Sequence, residues 1–530
     1  MARTFKIAGR LIVLVLLVGL ALIALFQLWM SHLSKELPGR VRPTYARFEM
    51  GNGAADGSPP PTPIGYYVDG NGEASILPPM PPEKPMDVHN AANYRKDILI
   101  KDCFWPGPRG RSGVFTNDFA KFSIEDQFAD TGTTYIPLAF ILPEGAKLLI
   151  KGQFPHMRHW NFHTYSDAGV PADEMGDIAM EPDPGSFNPF RPGVPRNVVQ
   201  RNYTLTVESG QPPNVRPKNT LYTSVPAGKQ AYIIVRNYVP DLSTDYLGNV
   251  PLPTVEVHLA NGQVLTGEAG CRATAAPGHA KQIARTVSPR TWLALSHLPW
   301  VDPDNVGAED KPVRPLQMFF NRFDLVARTF APALASATPK QEGGWWSNLA
   351  TRYGMLMMSR NQGRVYVMTA RMPHTPKTWH GDIANDSDYD MRYMSICTAG
   401  GLSSGTTPDC IYDEQLLSTI DPATGRYDVV ISREGDRPGN ATEACGVAWL
   451  DAGNGDNVYG GSPDYMSVIN RHTEVKPAFR HSWFAVEKPA DAKAAMGDYL
   501  PYVINMKDKA AFEQLGCPVD KKKLHALLNQ

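Results

Sequence analysis

Three histidines fall within eight positions in Pro155-His156-Met157-Arg158-His159-Trp160-Asn161-Phe162-His163. Imidazoles at such density can ligate a transition metal or move protons near neutral pH. On a strand, side chains alternate between faces, so His159 and His163 share one face, and His156 points the other way unless a turn intervenes. A second group, His374, His380 and Asp382, follows Pro373 much as the first follows Pro155. If the two regions pack face to face, His159, His163, His380 and Asp382 are candidate zinc ligands; the alternative is ordinary polar or core-edge histidines.

Asp386, Asp388 and Asp390 alternate in the manner that opens a calcium loop. Met391 stands where an EF-hand needs glycine and Cys397 where it needs glutamate, which excludes that motif in its usual form. A looser calcium-stabilised β-loop and a solvated acidic turn are the two readings left. Gly401-Leu402-Ser403-Ser404-Gly405 satisfies the spacing of a hydrolase nucleophile elbow. That elbow requires a strand before it and a helix after it, whereas both flanks here are loop-like, so the segment reads as a loop closed by Cys397 and Cys410. Trp345-Trp346 follows two glycines and is a candidate for ligand stacking. Trp160 and Arg392 are further ligand-contact candidates. Their structural alternatives are core packing for the tryptophan and a strand-end ion pair with Asp390 for the arginine.

The elements that must hold these groups are mostly strands. Lys147 to Lys151, Tyr203 to Val207, Gln230 to Arg236, Thr254 to Leu259 and Tyr427 to Ser432 are short runs rich in β-branched, aromatic or other apolar residues. Helical periodicity is confined to Asp324 to Ala335, Gln415 to Thr419 and the tail from Asp508. The 45 glycines and 47 prolines favour turns over long helices. The expected fold is mainly β, with two related antiparallel β-sandwich-like domains.

Ahead of them, Leu11 to Met30 is apolar apart from Gln27 and follows Arg3, Lys6 and Arg10. At about 1.5 Å per residue such a helix spans a bilayer core of about 30 Å. A small-x-small cleavage site is missing after it, which favours a retained anchor (residues 11–31) over a cleaved signal. Nine prolines between Gly51 and Pro85 suggest an extended stalk over residues 32–92. The expected domains are 93–275 and 316–530, joined by a linker, 276–315. The net charge of −1 gives no electrostatic case for nucleic acid.

Cys103, Cys271, Cys397, Cys410, Cys445 and Cys517 have no CxxC or Cys/His zinc spacing, so disulfides in an oxidising compartment are expected. Cys103 and Cys271 bracket the first domain; the other four allow three pairings. An inner-membrane, single-pass protein with its body in the periplasm or outside the cell accounts for these features together.

Shifting the chain by 218 residues lays Thr133 to Pro155 on Thr351 to Pro373 without a gap and with five identities in 23 positions. Beyond the match, each half carries an Arg-led aromatic strand, beginning at Arg158 and at Arg392. This is the signal for duplication.

Several stretches of the second half resemble a family of exported bacterial proteins of unknown function. They are Gly363-Arg364-Val365-Tyr366-Val367, Arg392-Tyr393-Met394-Ser395-Ile396-Cys397, Asp436-Arg437-Pro438-Gly439-Asn440-Ala441 and Cys445-Gly446-Val447-Ala448-Trp449-Leu450. Tyr238-Val239-Pro240-Asp241 and Gly248-Asn249-Val250-Pro251-Leu252-Pro253 carry the likeness into the first half. His159-Trp160-Asn161 departs from the pattern, which would usually have Tyr-Phe-Ser. The resemblance implies export and a β-rich fold and supplies no catalytic residue. The expected role is binding a ligand or protein partner at the envelope, with the cleft between the halves as the site. A hydrolase built on the histidines and carboxylates, with zinc or calcium, and a structural component are the alternatives.

Overall fold

The computed structural model describes Phe104 and Trp105, most of residues 128–276, and residues 312–319, 346–381, 388–399, 407–453, 464–488 and 491–529, with two short strands near residue 70 and a few positions between 21 and 28. The expected anchor therefore lies almost wholly outside the described residues. No helix among the described residues is long and apolar enough to cross a membrane. Within the expected stalk, Tyr66–Val68 (β1) and Ala74–Ile76 (β2) form an antiparallel hairpin, so the stalk is not extended throughout.

The protein is mainly β, and most strand pairs are antiparallel. The first half contains β3 (Thr133–Ile141), β4 (Lys147–Gln153), β5 (Met157–Ser166), β6 (Pro171–Gly176), β7 (Asn202–Glu208), β8 (Thr220–Tyr222), β9 (Gln230–Pro240), β10 (Thr254–His258) and β11 (Val264–Thr266). Two sheets result, ordered β3-β9-β5-β6 and β11-β10-β4-β7-β8. The second half contains β12 (Val313–Pro315), β13 (Gln317–Phe319), β14 (Thr351–Ser359), β15 (Val365–Arg371), β16 (Met391–Ala399), β17 (Cys410–Tyr412), β18 (Arg426–Ser432), β19 (Ala448–Asp451), β20 (Tyr465–Val475) and β21 (Tyr502–Met506). Its sheets are ordered β13-β14-β20-β16-β17 and β12-β21-β15-β18-β19.

The five strand-forming runs picked out by composition all coincide with strands, because β-branched and aromatic side chains fit a pleated, half-buried surface. β3 and β14 begin and end 218 residues apart, as do β4 and β15. The correspondence then runs through the sheet orders, β5 with β16, β6 with β17 and β9 with β20. It includes the unusual parallel pairs β7/β8 and β18/β19. β12 begins inside the expected linker, because Val313–Pro315 pairs with β21. The expected helix at Asp324 lies outside the described residues. Gln415 to Thr419 belongs to the 3-10 helix Asp413–Thr419, and the tail forms short helices at Lys509–Glu513 and Lys521–Ala526.

Each half stacks its two sheets on one apolar core. In the first, Ile136, Leu138 and Phe140 of β3 meet Leu148 and Ile150 of β4 and Leu205 and Val207 of β7. In the second, Leu356 and Met358 of β14 join Met368 of β15 and Val429 and Ile431 of β18. Burying one such side chain contributes about 1.5–3 kcal/mol. Yet β5, β9, β16 and β20 are buried along nearly their whole length. Along the middle of β5 and β16, Trp160, Phe162, Met394 and Ile396 face the core of their own half, while Asn161, His163, Tyr393 and Ser395 reach the other half.

Of the three pairings open to the later cysteines, the protein adopts Cys397–Cys410 and Cys445–Cys517. Cys271 is also disulfide-bonded, and Cys103 lies outside the described residues. Chain-entropy reasoning gives about 3 kcal/mol for the 13-residue separation and about 4 kcal/mol for the 72-residue one.

Candidate functional site

The seam between the halves is built from reciprocal contacts. Arg158, second residue of β5, sends Nη1 to Asp413 and Nη2 to Glu414, just after β17 in the other half. Arg392, second residue of β16, sends Nη1 to Asp177, just after β6 in the first half, at 2.8 Å. Each aspartate also accepts a backbone N–H from its own half, Asp177 from Trp160 at 3.0 Å and Asp413 from Met394 at 2.8 Å. A second reciprocal pair lies alongside. Arg236 of β9 donates to the Trp346 carbonyl, and Arg471 of β20 donates to the Phe128 carbonyl. Trp346 and Phe128 stand five residues before β14 and β3 respectively, and both have left-handed backbone, φ 56° and 61°.

A third pair is matched in part, through the counterparts Ser395 and Asn161. Asp130 accepts the Ser395 hydroxyl at 2.6 Å and the Tyr393 hydroxyl at 2.9 Å. Asn348, 218 residues later, accepts from Asn161 Nδ2 at 3.5 Å and donates to the Tyr238 hydroxyl. The Asp130 amide donates to Tyr135 and the Asn348 amide to Tyr353. Residue i touching j while the counterpart of j touches the counterpart of i is the geometry of an isologous two-fold interface. Here it is contained in one chain.

These contacts reassign most of the residues singled out by type. Arg392 is a buried seam tether, with Asp177 as its partner instead of Asp390. Trp160 is buried in the first core against Phe154, Phe162 and Tyr203, which leaves no face for a ligand. Trp346 is half-buried, its ring 5.2 Å from Tyr165 and 4.7 Å from Tyr232, and it docks the second half on the first. Gly169 permits that docking, since a Cβ there would stand 3.0 Å from the indole and its φ is 69°. Trp345 lies outside the described residues.

The histidines do not gather round one point. His159 Nδ1 is 2.8 Å from Asp177, His163 Nε2 accepts the Leu349 N–H at 3.1 Å, and His380 Nδ1 is 2.5 Å from Glu414. Among the described residues, the one group of three metal-type donors is Asp130, Cys397 and Cys410, and its cysteines are bonded to each other. Asp390 accepts the His374 N–H and shapes a turn. Asp388 joins no such group, and Asp382, Asp386 and the Gly401 to Gly405 segment lie outside the described residues. The zinc and calcium readings thus find no assembled site among the described residues.

The chemically distinctive corner is where the two halves stop matching. On β5 and β6, His163 is cross-strand partner of Glu174. At the same place on β16 and β17, Cys397 is partner of Cys410. Close by, Glu474 is the penultimate residue of β20, as Val239 is of β9, and both have positive φ, 52° and 42°. Strain retained at matching positions requires surrounding structure to hold it. Val239 is buried, whereas the Glu474 side chain turns toward Gly176, where a Cβ would meet Oε1 at 3.4 Å and Glu174 Oε1 at 3.9 Å.

The two carboxyls differ in character. Burial raises the Glu474 carboxyl, reinforced by Asp177 and Glu174 and opposed by His159 and Arg392. Burial pushes Glu174 the same way, but His163, 3.6 Å away, outweighs it and holds Glu174 below the usual range. Burial also lowers the His163 imidazole. Two carboxyls pushed in opposite directions by their surroundings, both facing Gly176, are the kind of pair that can divide acid and base roles. Glu174, Glu474 and Asp177 carry no metal or nucleophile motif, so sequence could not find them.

No protein-family profile matches the chain, and no curated protein matches it. Among solved structures, an uncharacterised protein from Burkholderia cenocepacia is similar over 72% of this chain and 77% of its own, at 8% identity and a TM-score of 0.37. A protein from Vibrio parahaemolyticus is similar over 74% of this chain and 100% of its own, at 10% identity and a TM-score of 0.32.

Proposed function

We propose that this chain is a membrane-anchored, extracytoplasmic protein of two related β-sandwich domains that binds a ligand or partner at the cell envelope. The observation that carries the reading is the contrast along the seam. Arg158 and Arg392, which by type could do chemistry, are spent joining the halves, while His159 is held by Asp177 of its own half, and this makes a rigid presenting body. The groups left partly open are Glu174 and Glu474, at the one corner where the halves diverge. The apolar run Leu11 to Met30 and the disulfides support the anchored, exported part of the reading.

A thermal-shift screen of envelope lipids, glycans and amines on the full chain, repeated on Glu474→Gln, tests the binding role. A ligand at a hundred times its Kd adds about 2.7 kcal/mol of stability, and the shift should vanish in the variant. Equal shifts in both proteins would move the site elsewhere. Carbonate extraction and protease protection of intact cells test the anchor and its orientation.

The opposed carboxyls favour one second reading, an envelope hydrolase with Glu474 as acid and Glu174 as base. Product formation from a bound ligand, abolished in both Glu174→Gln and Glu474→Gln, would select it; binding without turnover would select the first.

A further inference from the structure

We propose that the Cys397–Cys410 disulfide is a redox-sensitive lock on the seam between the two halves. Its position carries the argument. β17 is a three-residue strand at the edge of its sheet, held to β16 by three register pairs and this bond. The chain passes from Cys410 through Tyr412 directly to Asp413 and Glu414, the two carboxylates that receive Arg158 from the first half. On the other strand, two residues before Cys397, Ser395 binds Asp130 of the first half, and Tyr393 binds the same carboxylate. An Asp130 carboxylate oxygen lies within 4.8 Å of both sulfurs. The bond therefore sits between two of the contacts that hold the halves together and beside a carboxylate belonging to one of them.

The matching corner of the seam shows what the bond replaces. There the same cross-strand position holds His163 and Glu174, 3.6 Å apart, a noncovalent pair. One end of the seam is closed by side chains that titrate, and the other by a bond that only a reductant opens.

The chemistry needs a dithiol reductant. Its thiolate attacks Sγ of Cys410, which is half-buried, and breaks the bond to Cys397, which is fully buried. The electron pair leaves on the Cys397 sulfur, which takes a proton because a thiolate beside the Asp130 carboxylate is disfavoured. The second thiol of the reductant then displaces Cys410 as a thiol, and the reductant leaves as its own disulfide. Two unbonded thiols need more room than a bonded pair, and the space available is bounded by Asp130 and the edge strand. Reduction loosens β17 and shifts Asp413 and Glu414 away from Arg158.

Calorimetry and hydrogen exchange on the full chain test the lock. The oxidised protein should unfold in one transition spanning both halves. The Cys397→Ser/Cys410→Ser variant, and the wild type after dithiothreitol, should unfold in two, with exchange accelerated at least tenfold at residues 391–396 and 158–163. Cys445→Ser/Cys517→Ser, which leaves the seam disulfide intact, should keep one transition at a lower midpoint. Should the seam variant not fold, hydrogen exchange on oxidised and freshly reduced Cys445→Ser/Cys517→Ser decides, since Cys445–Cys517 is then missing from both states. One transition and unchanged exchange after loss of the Cys397–Cys410 bond, or two transitions already in the oxidised protein, would overturn the proposal.

Discussion

The apolar cores of the two halves and the seam between them are both buried, yet they are made of opposite materials. The first core is Ile136, Leu138, Phe140, Leu148, Ile150, Trp160 and their neighbours, without an ion pair. The seam is a run of Arg, Asp, Tyr, Ser and Asn joined atom to atom. Apolar contact is non-directional and scales with area, so a core tolerates repacking of about the same volume. Buried charges are costly unless each finds its partner, so the seam fits one arrangement of the two halves. Cores supply most of the stability; the seam supplies a unique geometry.

The largest effect that separates the two regions should come from Arg158→Met. It leaves Asp413 and Glu414 buried without their cation, and loss of one member of such a set costs about 3–5 kcal/mol. Trp160→Ala costs about the same through its cavity. The comparison lies in the form of unfolding. Calorimetry should show the arginine variant losing cooperativity between halves while the tryptophan variant keeps it; identical traces would mean the seam is not a separate unit.

Acid should act next. Burial holds His472 down to about 3, against its ordinary value of 6.5. A histidine whose folded value is depressed favours the folded state above 6.5, and that contribution is lost as pH falls from there toward 3. By pH 4 the loss is about 3 kcal/mol, at 1.36 kcal/mol per unit. Denaturant titrations at pH 7 and pH 4 should show this difference shrink in His472→Asn, and an unchanged slope would remove His472 as its source.

Tyr393→Phe should cost about 1.5–3 kcal/mol, since it removes a hydrogen bond to the Asp130 carboxylate across the seam. Tyr135→Phe, which removes a bond within one half, should cost less, and a double-mutant cycle with Ser395→Ala would show whether the seam contacts act together. The smallest effect should come from Lys151→Ala on the outer sheet. Its pair with Glu256 is partly exposed, and such pairs contribute at most about 1 kcal/mol.

Composition and alternation determined much of the fold. The strands, the scarcity of long helices among the described residues and the first two strands of the repeat were legible because period-two burial writes itself into sequence. The repeat faded after Pro155 and Pro373 for a physical reason. Three residues lie between β4 and β5, whereas nineteen lie between β15 and β16, so no single shift aligns both sides. That insertion also placed His374 and His380 away from the positions of His156 and His159.

The disulfide class of the cysteines, the Arg-led strands and the absence of a complete catalytic motif followed from residue types alone. The partners did not. Arg392 meets Asp177 across the seam, and Glu474 comes near Glu174 from the far end of another sheet. Alternation says which residues share a face, and it carries no information about which face of which sheet will be opposite. That was decided by the packing of the two halves, where Arg158 found Asp413 and Glu414 and Arg392 found Asp177 across the seam.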